Sequence, residues 1–106
     1  MEVIMELPDT NLSASAPPDG YSDPQKALWW LAKGMFKTGP EWEQAHAICQ
    51  NAEGRPEHDY VHALAHWIEG DKWNSDYWYN RIGTKRHSEN PAEEWRFIAE
   101  ALAAPD

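Results

Sequence analysis

The sequence predicts an all-α fold built from two helix-turn-helix hairpins and a C-terminal capping helix. Apolar residues recur at three- and four-residue spacing in five separate segments. Glycine, proline and asparagine stand between these segments, where helices begin and end. No segment shows the alternation of apolar and polar residues that a strand would have. The length of 106 residues is sufficient for one hydrophobic core.

The first hairpin is predicted on either side of Gly39. Asp23-Pro24 combines an N-cap residue with a proline that is tolerated in the first turn. Gly39-Pro40 ends this helix and begins the second, which stops at Gly54. The apolar stripes of the two helices are Ala27, Leu28, Leu31, Ala32 and Met35, followed by Trp42, Ala45, Ile48, Cys49 and Ala52.

The second hairpin is predicted between Arg55 and Gly83. Arg55-Pro56 begins the third helix and Gly70 ends it, while Asp71 can cap the fourth. The apolar stripes are Val61, Leu64, Ala65 and Ile68 in the third helix and Ser75, Trp78, Tyr79 and Ile82 in the fourth.

A polar loop is expected over Thr84 to Glu89, followed by a last helix over Pro91 to Ala104. Asn90 is its predicted N-cap, and Glu93 is its predicted capping-box acid. The apolar face of this helix consists of Trp95, Ile98, Ala99 and Leu102. We expect that face to cover the open apolar end of the two hairpins, as a capping element does in helical repeats.

Residues 1–22 are expected to form an acidic, flexible tail, with residues 23–106 as a single helical domain. Residues 1–24 contain five of the acidic residues and no Lys or Arg. Short polar tails are commonly mobile and solubilising. A further hypothesis is an acidic inhibitor that mimics a polyanion, in which case the activity would lie in this tail.

Charge and composition exclude several classes of function. A net charge of −9 with one small basic cluster, Lys85-Arg86-His87, disfavours nucleic acid and anionic membranes as partners. The single Cys49 cannot form an intramolecular disulfide and is expected in the core. There is neither an apolar run of about 20 residues nor a basic N-terminal signal, which predicts a cytoplasmic protein.

The second hairpin resembles tetratricopeptide and Sel1-like repeats. Ile68-Glu69-Gly70-Asp71 followed by Ser75-Asp76-Tyr77-Trp78-Tyr79 carries the resemblance, which is clearest over residues 60–83 and extends at most over 25–83. It implies a helical-hairpin fold with a concave face for a peptide or a partner helix. The first hairpin departs from the pattern, because Met35 to Pro40 replaces a turn of two or three residues. Residues 62–79 also resemble a group of small microbial proteins, a likeness that supplies no catalytic residues.

Histidines on the third helix form the first candidate site. His58, His62 and His66 are spaced four residues apart, and with Glu69 they fall within about 80° of one another around the helix. This stripe lies beside the apolar stripe, where His46 and Tyr77 are possible neighbours. Two imidazoles four residues apart, with a carboxylate or a third histidine, can bind a divalent metal. The alternatives are a small-ligand or enzymatic site, or histidines that only form hydrogen bonds between helices.

Aromatic residues form the second candidate site. The set expected on a binding surface is Trp29, Trp30, Trp67, Trp73 and Tyr77. Adjacent Trp29 and Trp30 cannot both lie on one face of a helix, and Trp and Tyr are enriched in binding hot spots. The sequence therefore predicts a non-catalytic module without a cofactor that binds a protein or peptide, or a second copy of itself, with the metal site as the alternative function. Rings that simply close a small core remain the structural alternative.

Overall fold

The computed structural model describes residues 12–103 and confirms the all-α class. Five helices are present in this range: α1 Asp23–Lys33, α2 Pro40–Gln50, α3 Pro56–Ile68, α4 Lys72–Ile82 and α5 Pro91–Ala103. None of the described residues forms a strand, and no helix among them has the length and apolar character needed to cross a membrane.

The described part of the predicted tail contacts the helical domain. Lys33 donates from Nζ to the carbonyl oxygens of Leu12 and Ala14, at 2.8 and 2.9 Å. Tyr21 packs against the hydrophobic core. Residues 1–11 lie outside the described part of the chain, so the predicted flexible tail and domain boundary stay predictions.

The beginnings of the helices follow the predicted capping chemistry, with one correction. Ser22, and not Asp23, is the N-cap of α1, because Ser22 and Gln25 exchange side-chain and backbone hydrogen bonds in a capping box. Asp71 caps α4 by accepting a hydrogen bond from the backbone N–H of Asn74 at 3.2 Å. Asn90 accepts from the backbone N–H of Glu93 at 2.9 Å, as predicted.

Helix α1 ends earlier than its apolar spacing predicts. Met35, which the sequence pattern places on the buried stripe, is 70% exposed. Met35 and Phe36 both adopt left-handed backbone angles, with φ of 60° and 59°. A β-carbon at Gly34 would lie only 2.9 Å from that of Glu41. The chain therefore leaves the helix where the end of α1 meets the start of α2, and Phe36 folds back onto the core.

Helix α3 is the centre of the fold. It contacts all four other helices, whereas α4 packs mainly against α3, and α1 packs most extensively against α2. Two tryptophans fasten helices through buried hydrogen bonds: Trp42 donates from Nε1 to the carbonyl oxygen of Ala65 (2.8 Å), and Trp95 donates to that of Leu28 (2.7 Å). Helix α5 contributes Trp95, Ile98 and Ala99 to the common core. The likeness to tetratricopeptide or Sel1-like repeats stays a prediction.

A buried carboxylate fixes the loop between α4 and α5, which the sequence pattern does not reveal. Glu94 is fully buried. Its Oε2 accepts the Tyr79 hydroxyl hydrogen at 2.8 Å, and its Oε1 accepts the backbone N–H of His87 at 2.9 Å. Burial of a carboxylate is unfavourable unless it is hydrogen-bonded, so these two donors account for its position.

Candidate functional site

Three histidines from two helices meet in a cluster on the inner side of α2 and α3. His46 lies on α2, and His62 and His66 lie one turn apart on α3. The Nε2 atoms of His46 and His62 are 3.2 Å apart. One ring nitrogen from each of the three residues lies within 4.8 Å of the others. The cluster therefore brings together three ring nitrogens from two helices. His46 and His62, whose Nε2 atoms are in contact, are 16 residues apart in the sequence.

Trp42 positions the α2 side of this histidine cluster. Its indole stacks on the His46 ring with centroids 4.8 Å apart, and its Nε1 donates to the carbonyl oxygen of Ala65 on α3. The residues 42 and 46 are one helical turn apart, so the stack forms along one face of α2. This tryptophan thus links the orientation of His46 to the docking of α2 on α3.

Aromatic contacts enclose the α3 side of the cluster. The His62 ring stacks between His66 (4.8 Å) and Trp78 of α4 (4.3 Å). The Nδ1 atom of His62 is buried and has no hydrogen-bond partner among the described residues. Tyr77, expected from the sequence as a possible neighbour, has its ring against Trp73 and Trp78 instead. Adjacent residues on a helix point about 100° apart, so Trp78 faces α3 and Tyr77 faces outward.

Burial and mutual repulsion keep two of these imidazoles neutral. Burial, with smaller contributions from His66 and then His46, lowers the pKa of His62 to about 3. Burial and the neighbouring His66 also lower the pKa of His46, an effect that carboxylates such as Glu69 partly oppose. At neutral pH both rings therefore carry a free nitrogen lone pair, which is the form of histidine that binds metals.

A carboxylate orients the third imidazole. The Nδ1–H group of His66 donates to Oε2 of Glu69 at 2.7 Å, and both side chains are at least partly buried. In a neutral imidazole, this contact selects the tautomer that has its hydrogen on Nδ1. Metal-binding histidines commonly donate their second N–H to a carboxylate in the same way. His66, Glu69 and Asp71 also come within 4.8 Å of one another, on the outer side of the cluster.

The observed cluster differs from the predicted stripe by one exchange, in which His46 takes the place of His58. His62, His66 and Glu69 come together as predicted, and His46, expected only as a possible neighbour, supplies the third imidazole. His58 does not join them. It lies two turns from His66, at the N-terminal end of α3, and lines a separate cleft of about 450 Å³ with Ser22, Asp23, Pro24, Arg55, Glu57 and Leu102.

Spacing on α3 alone could not separate these roles. His58 and His66 both lie four residues from His62 and share its face, so periodicity treats them alike. The difference comes from α2, which crosses α3 beside its last two turns and brings His46 there. The sequence does place His46 one turn after Trp42, on the same face of α2. Spacing does not show which helix that face packs against.

The predicted aromatic surface is only partly exposed. Trp29 is 1% exposed and belongs to the core, so it cannot contribute to a surface. Trp30 is half-buried and packs against the core, and Trp67 is half-buried beneath the guanidinium group of Arg86, 4.7 Å from its ring centroid. Of the five predicted residues, only Trp73 and Tyr77 are exposed. They lie on α4, on the face directed away from the histidine cluster.

The comparisons with known proteins return no match: no family model, curated protein or solved structure is similar to this chain.

Proposed function

We propose that this chain binds a divalent metal ion through one ring nitrogen each of His46, His62 and His66. The observation that carries this proposal is the 3.2 Å separation of the His46 and His62 Nε2 atoms beside a third imidazole. Two nitrogens bound to one tetrahedral ion at about 2.0–2.1 Å are separated by about 3.3 Å. The first two ligands thus have the required spacing, and the third is within 4.8 Å.

The chemistry of the donors favours a borderline transition metal. Neutral imidazoles bind zinc, nickel, copper and cobalt, whereas magnesium and calcium require oxygen ligands. Glu69 supports such an ion indirectly, because its hydrogen bond occupies Nδ1 of His66 and leaves Nε2 of that ring as the available ligand atom. Three protein ligands leave a fourth coordination position, which water can fill.

The energetics of the histidine cluster also favour an ion. Protonation of one imidazole in this cluster is unfavourable, because the ring is buried beside two others. Among the described residues, the three rings form one hydrogen bond with one another, between His46 and His62. A metal bond to each ring would offset the desolvation of these groups.

The test is metal titration of chelator-treated protein by calorimetry, with His62→Ala compared to His58→Ala. The two histidines lie one turn apart on α3, and both are buried, so the two changes remove similar packing. We expect native protein and His58→Ala to bind zinc, cobalt or nickel with similar affinity. His62→Ala should bind at least about a hundredfold more weakly, a loss of about 2.7 kcal/mol.

Thermal unfolding provides a second readout. At a metal concentration about a hundredfold above the dissociation constant, binding adds about 2.7 kcal/mol of stability, on the order of 10 °C for a domain of this size. Magnesium should give no shift. Absence of binding by native protein, or equal binding by His62→Ala and His58→Ala, would refute the proposed site.

A further inference from the structure

The outer face of α4 carries an ordered stripe of Trp73, Tyr77 and Arg81, each one helical turn from the next. Trp73 is 77% exposed and Tyr77 is 43% exposed. Their rings stack with centroids 6.4 Å apart. Arg81 donates from Nη1 to the Tyr77 hydroxyl at 3.1 Å and lies over the same ring. These contacts hold the three side chains in place before any partner arrives, which lowers the entropic cost of binding.

This α4 stripe has the composition of an interface. Trp, Tyr and Arg are the residues most enriched in hot spots of protein interfaces. Helix α4 packs mainly against α3, so its opposite face is directed outward. Among the described residues, the other exposed large apolar side chains are Met35 and Phe97. Phe97 stacks on His87 with ring centroids 4.0 Å apart, so the α4 stripe is where two exposed apolar rings lie together.

The order of the three residues makes the stripe complementary to itself. Trp73 and Arg81 lie four residues on either side of Tyr77, about 12 Å apart along the helix. If two copies of α4 pack antiparallel about an axis at Tyr77, Trp73 of each copy faces Arg81 of the other. A guanidinium group over an indole face is a favourable cation–π contact. Two-fold symmetry forms this contact twice and places the two Tyr77 rings against each other.

Charge opposes self-association less at this face than at the acidic helices. The chain carries a net charge of −9, so two copies repel each other over most of their surfaces. On α4, Lys72 and Arg81 outnumber the single acidic residue, Asp76. Asp76 is itself paired with Arg86 at 2.6 Å. Helices α2, α3 and α5 each contain more acidic than basic residues, whereas α1, with Lys26 and Lys33 against Asp23, has the same balance as α4.

From these observations we propose that the chain forms a symmetric homodimer in which α4 packs antiparallel on α4 of the second copy through Trp73, Tyr77 and Arg81. The proposal does not rest on metal binding, because none of these residues is one of the three histidines. Tyr77 and Arg81 contact Trp78, whose ring stacks on His62. An 11-residue helix is about 16 Å long, so the interface is smaller than those of permanent dimers. The dimer is therefore weak and depends on protein concentration.

Sedimentation velocity over about 10 μM to about 1 mM protein, with a chelator present throughout, tests this dimer. We expect native protein to shift from monomer to dimer across this range. Trp73→Ala should weaken dimerisation at least tenfold. Met35→Ala removes another highly exposed apolar side chain, away from α4, and should leave the dimer unchanged. Native protein that stays monomeric at every concentration, or Trp73→Ala that dimerises as native protein does, would overturn the proposal.

A cysteine at the predicted axis tests the geometry itself. The native Cys49 is fully buried, and burial raises the pKa of its thiol far above the usual value, so it does not compete for oxidation. Tyr77→Cys should form a disulfide-linked dimer under mild oxidation, because position 77 meets its own copy. Phe97→Cys, on the exposed face of α5, should remain monomeric. Equal cross-linking of the two variants would show that α4 does not form the interface.

Discussion

At the scale of single residues, the histidine cluster depends on whether its rings are charged. His62 is 2% exposed and contacts two other imidazoles and an indole. Protonation would place a cation in a site without a facing carboxylate of its own, since Glu69 bonds to His66. The folded state therefore favours the neutral form of His62, and protonation of this ring at low pH should destabilise the fold.

We predict that stability falls on acidification. Burial lowers the pKa of His62 from 6.5 to about 3 in the folded state, so between these values the unfolded chain binds the extra proton. Stability is highest above the unfolded pKa and falls as pH decreases below it, by up to about 1.4 kcal/mol per pH unit for this group. His46, whose pKa is also lowered, acts in the same direction.

Urea denaturation of metal-free protein between pH 7.5 and pH 4.5 measures this dependence. His62→Leu removes the titrating group at similar volume, and its stability should vary less steeply with pH than that of native protein. The slope is the informative quantity, whatever the absolute stability of the variant. Identical slopes for His62→Leu and native protein would show that His62 does not govern acid sensitivity.

The buried Glu94 acts at the same scale. Two donors, the hydroxyl of Tyr79 and the backbone N–H of His87, depend on its carboxylate. Glu94→Ala should destabilise the fold by about 2–5 kcal/mol, because the buried hydroxyl of Tyr79 and the part-buried N–H of His87 lose their partner and a cavity remains. Tyr79→Phe removes one hydrogen bond to this buried carboxylate and should cost about 1.5–3 kcal/mol. Chemical denaturation of both variants measures the two values, and a larger loss for Tyr79→Phe would contradict this account.

At the scale of elements, the close approach of α1 and α2 determines where α1 ends. The φ of Gly34 is −81°, a value that residues with side chains adopt readily. A β-carbon at this position would nevertheless lie 2.9 Å from the β-carbon of Glu41. Glycine is therefore needed at this position because a side chain would not fit, and not because of its backbone angles. The following two residues then accept left-handed angles, which cost free energy in residues with side chains.

Gly34→Ala should therefore destabilise the protein by about 1–3 kcal/mol, although alanine is the better helix former. Gly20→Ala is the matched control. A β-carbon at Gly20 meets nothing within 4 Å, so that change should be neutral or stabilise by up to about 1 kcal/mol. Thermal unfolding of both variants measures the two effects. If Gly34→Ala stabilised the protein, α2 would be able to move away from the added methyl group without loss of packing, and this account would be wrong.

The helices themselves could largely be predicted from the sequence, whereas their contacts could not. Pro40, Pro56 and Pro91 are each the first residue of a helix, because proline is preorganised for that position and needs no donor there. The apolar spacing predicts a longer α1, since it continues through Met35, whereas Gly34 marks the observed end of the helix as its C-cap.

For the candidate site, periodicity identified His62, His66 and Glu69 but could not exclude His58 or confirm His46. Spacing gives the direction of a side chain on its own helix, and the partner helix decides which residues meet. The same limit applies to Trp29, whose burial depends on packing against neighbouring helices. The exposure of Trp73, in contrast, follows from its position off the apolar stripe of α4.

At the scale of the whole molecule, α3 joins the two candidate sites to the fold. It supplies two of the three histidines, contacts every other helix, and supports the inner face of α4, whose outer face carries the aromatic stripe. Trp78 stacks on His62, while its neighbour Tyr77 belongs to the outer stripe. The Trp78 ring therefore lies between the two sites, because it stacks on His62 and also contacts Tyr77 and Arg81.

The position of the histidine cluster in the chain has a consequence for the order of folding. The closest of the proposed ligands, His46 and His62, are separated by 16 residues. The free-energy cost of closing a loop is entropic and rises by about 0.6 kcal/mol with each doubling of its length, so a short loop is the least costly to close. A metal ion captured early would therefore close a short loop and align α2 with α3 before α1, α4 or α5 dock. Refolding in the presence of the ion would then begin from the middle of the chain and spread to both ends.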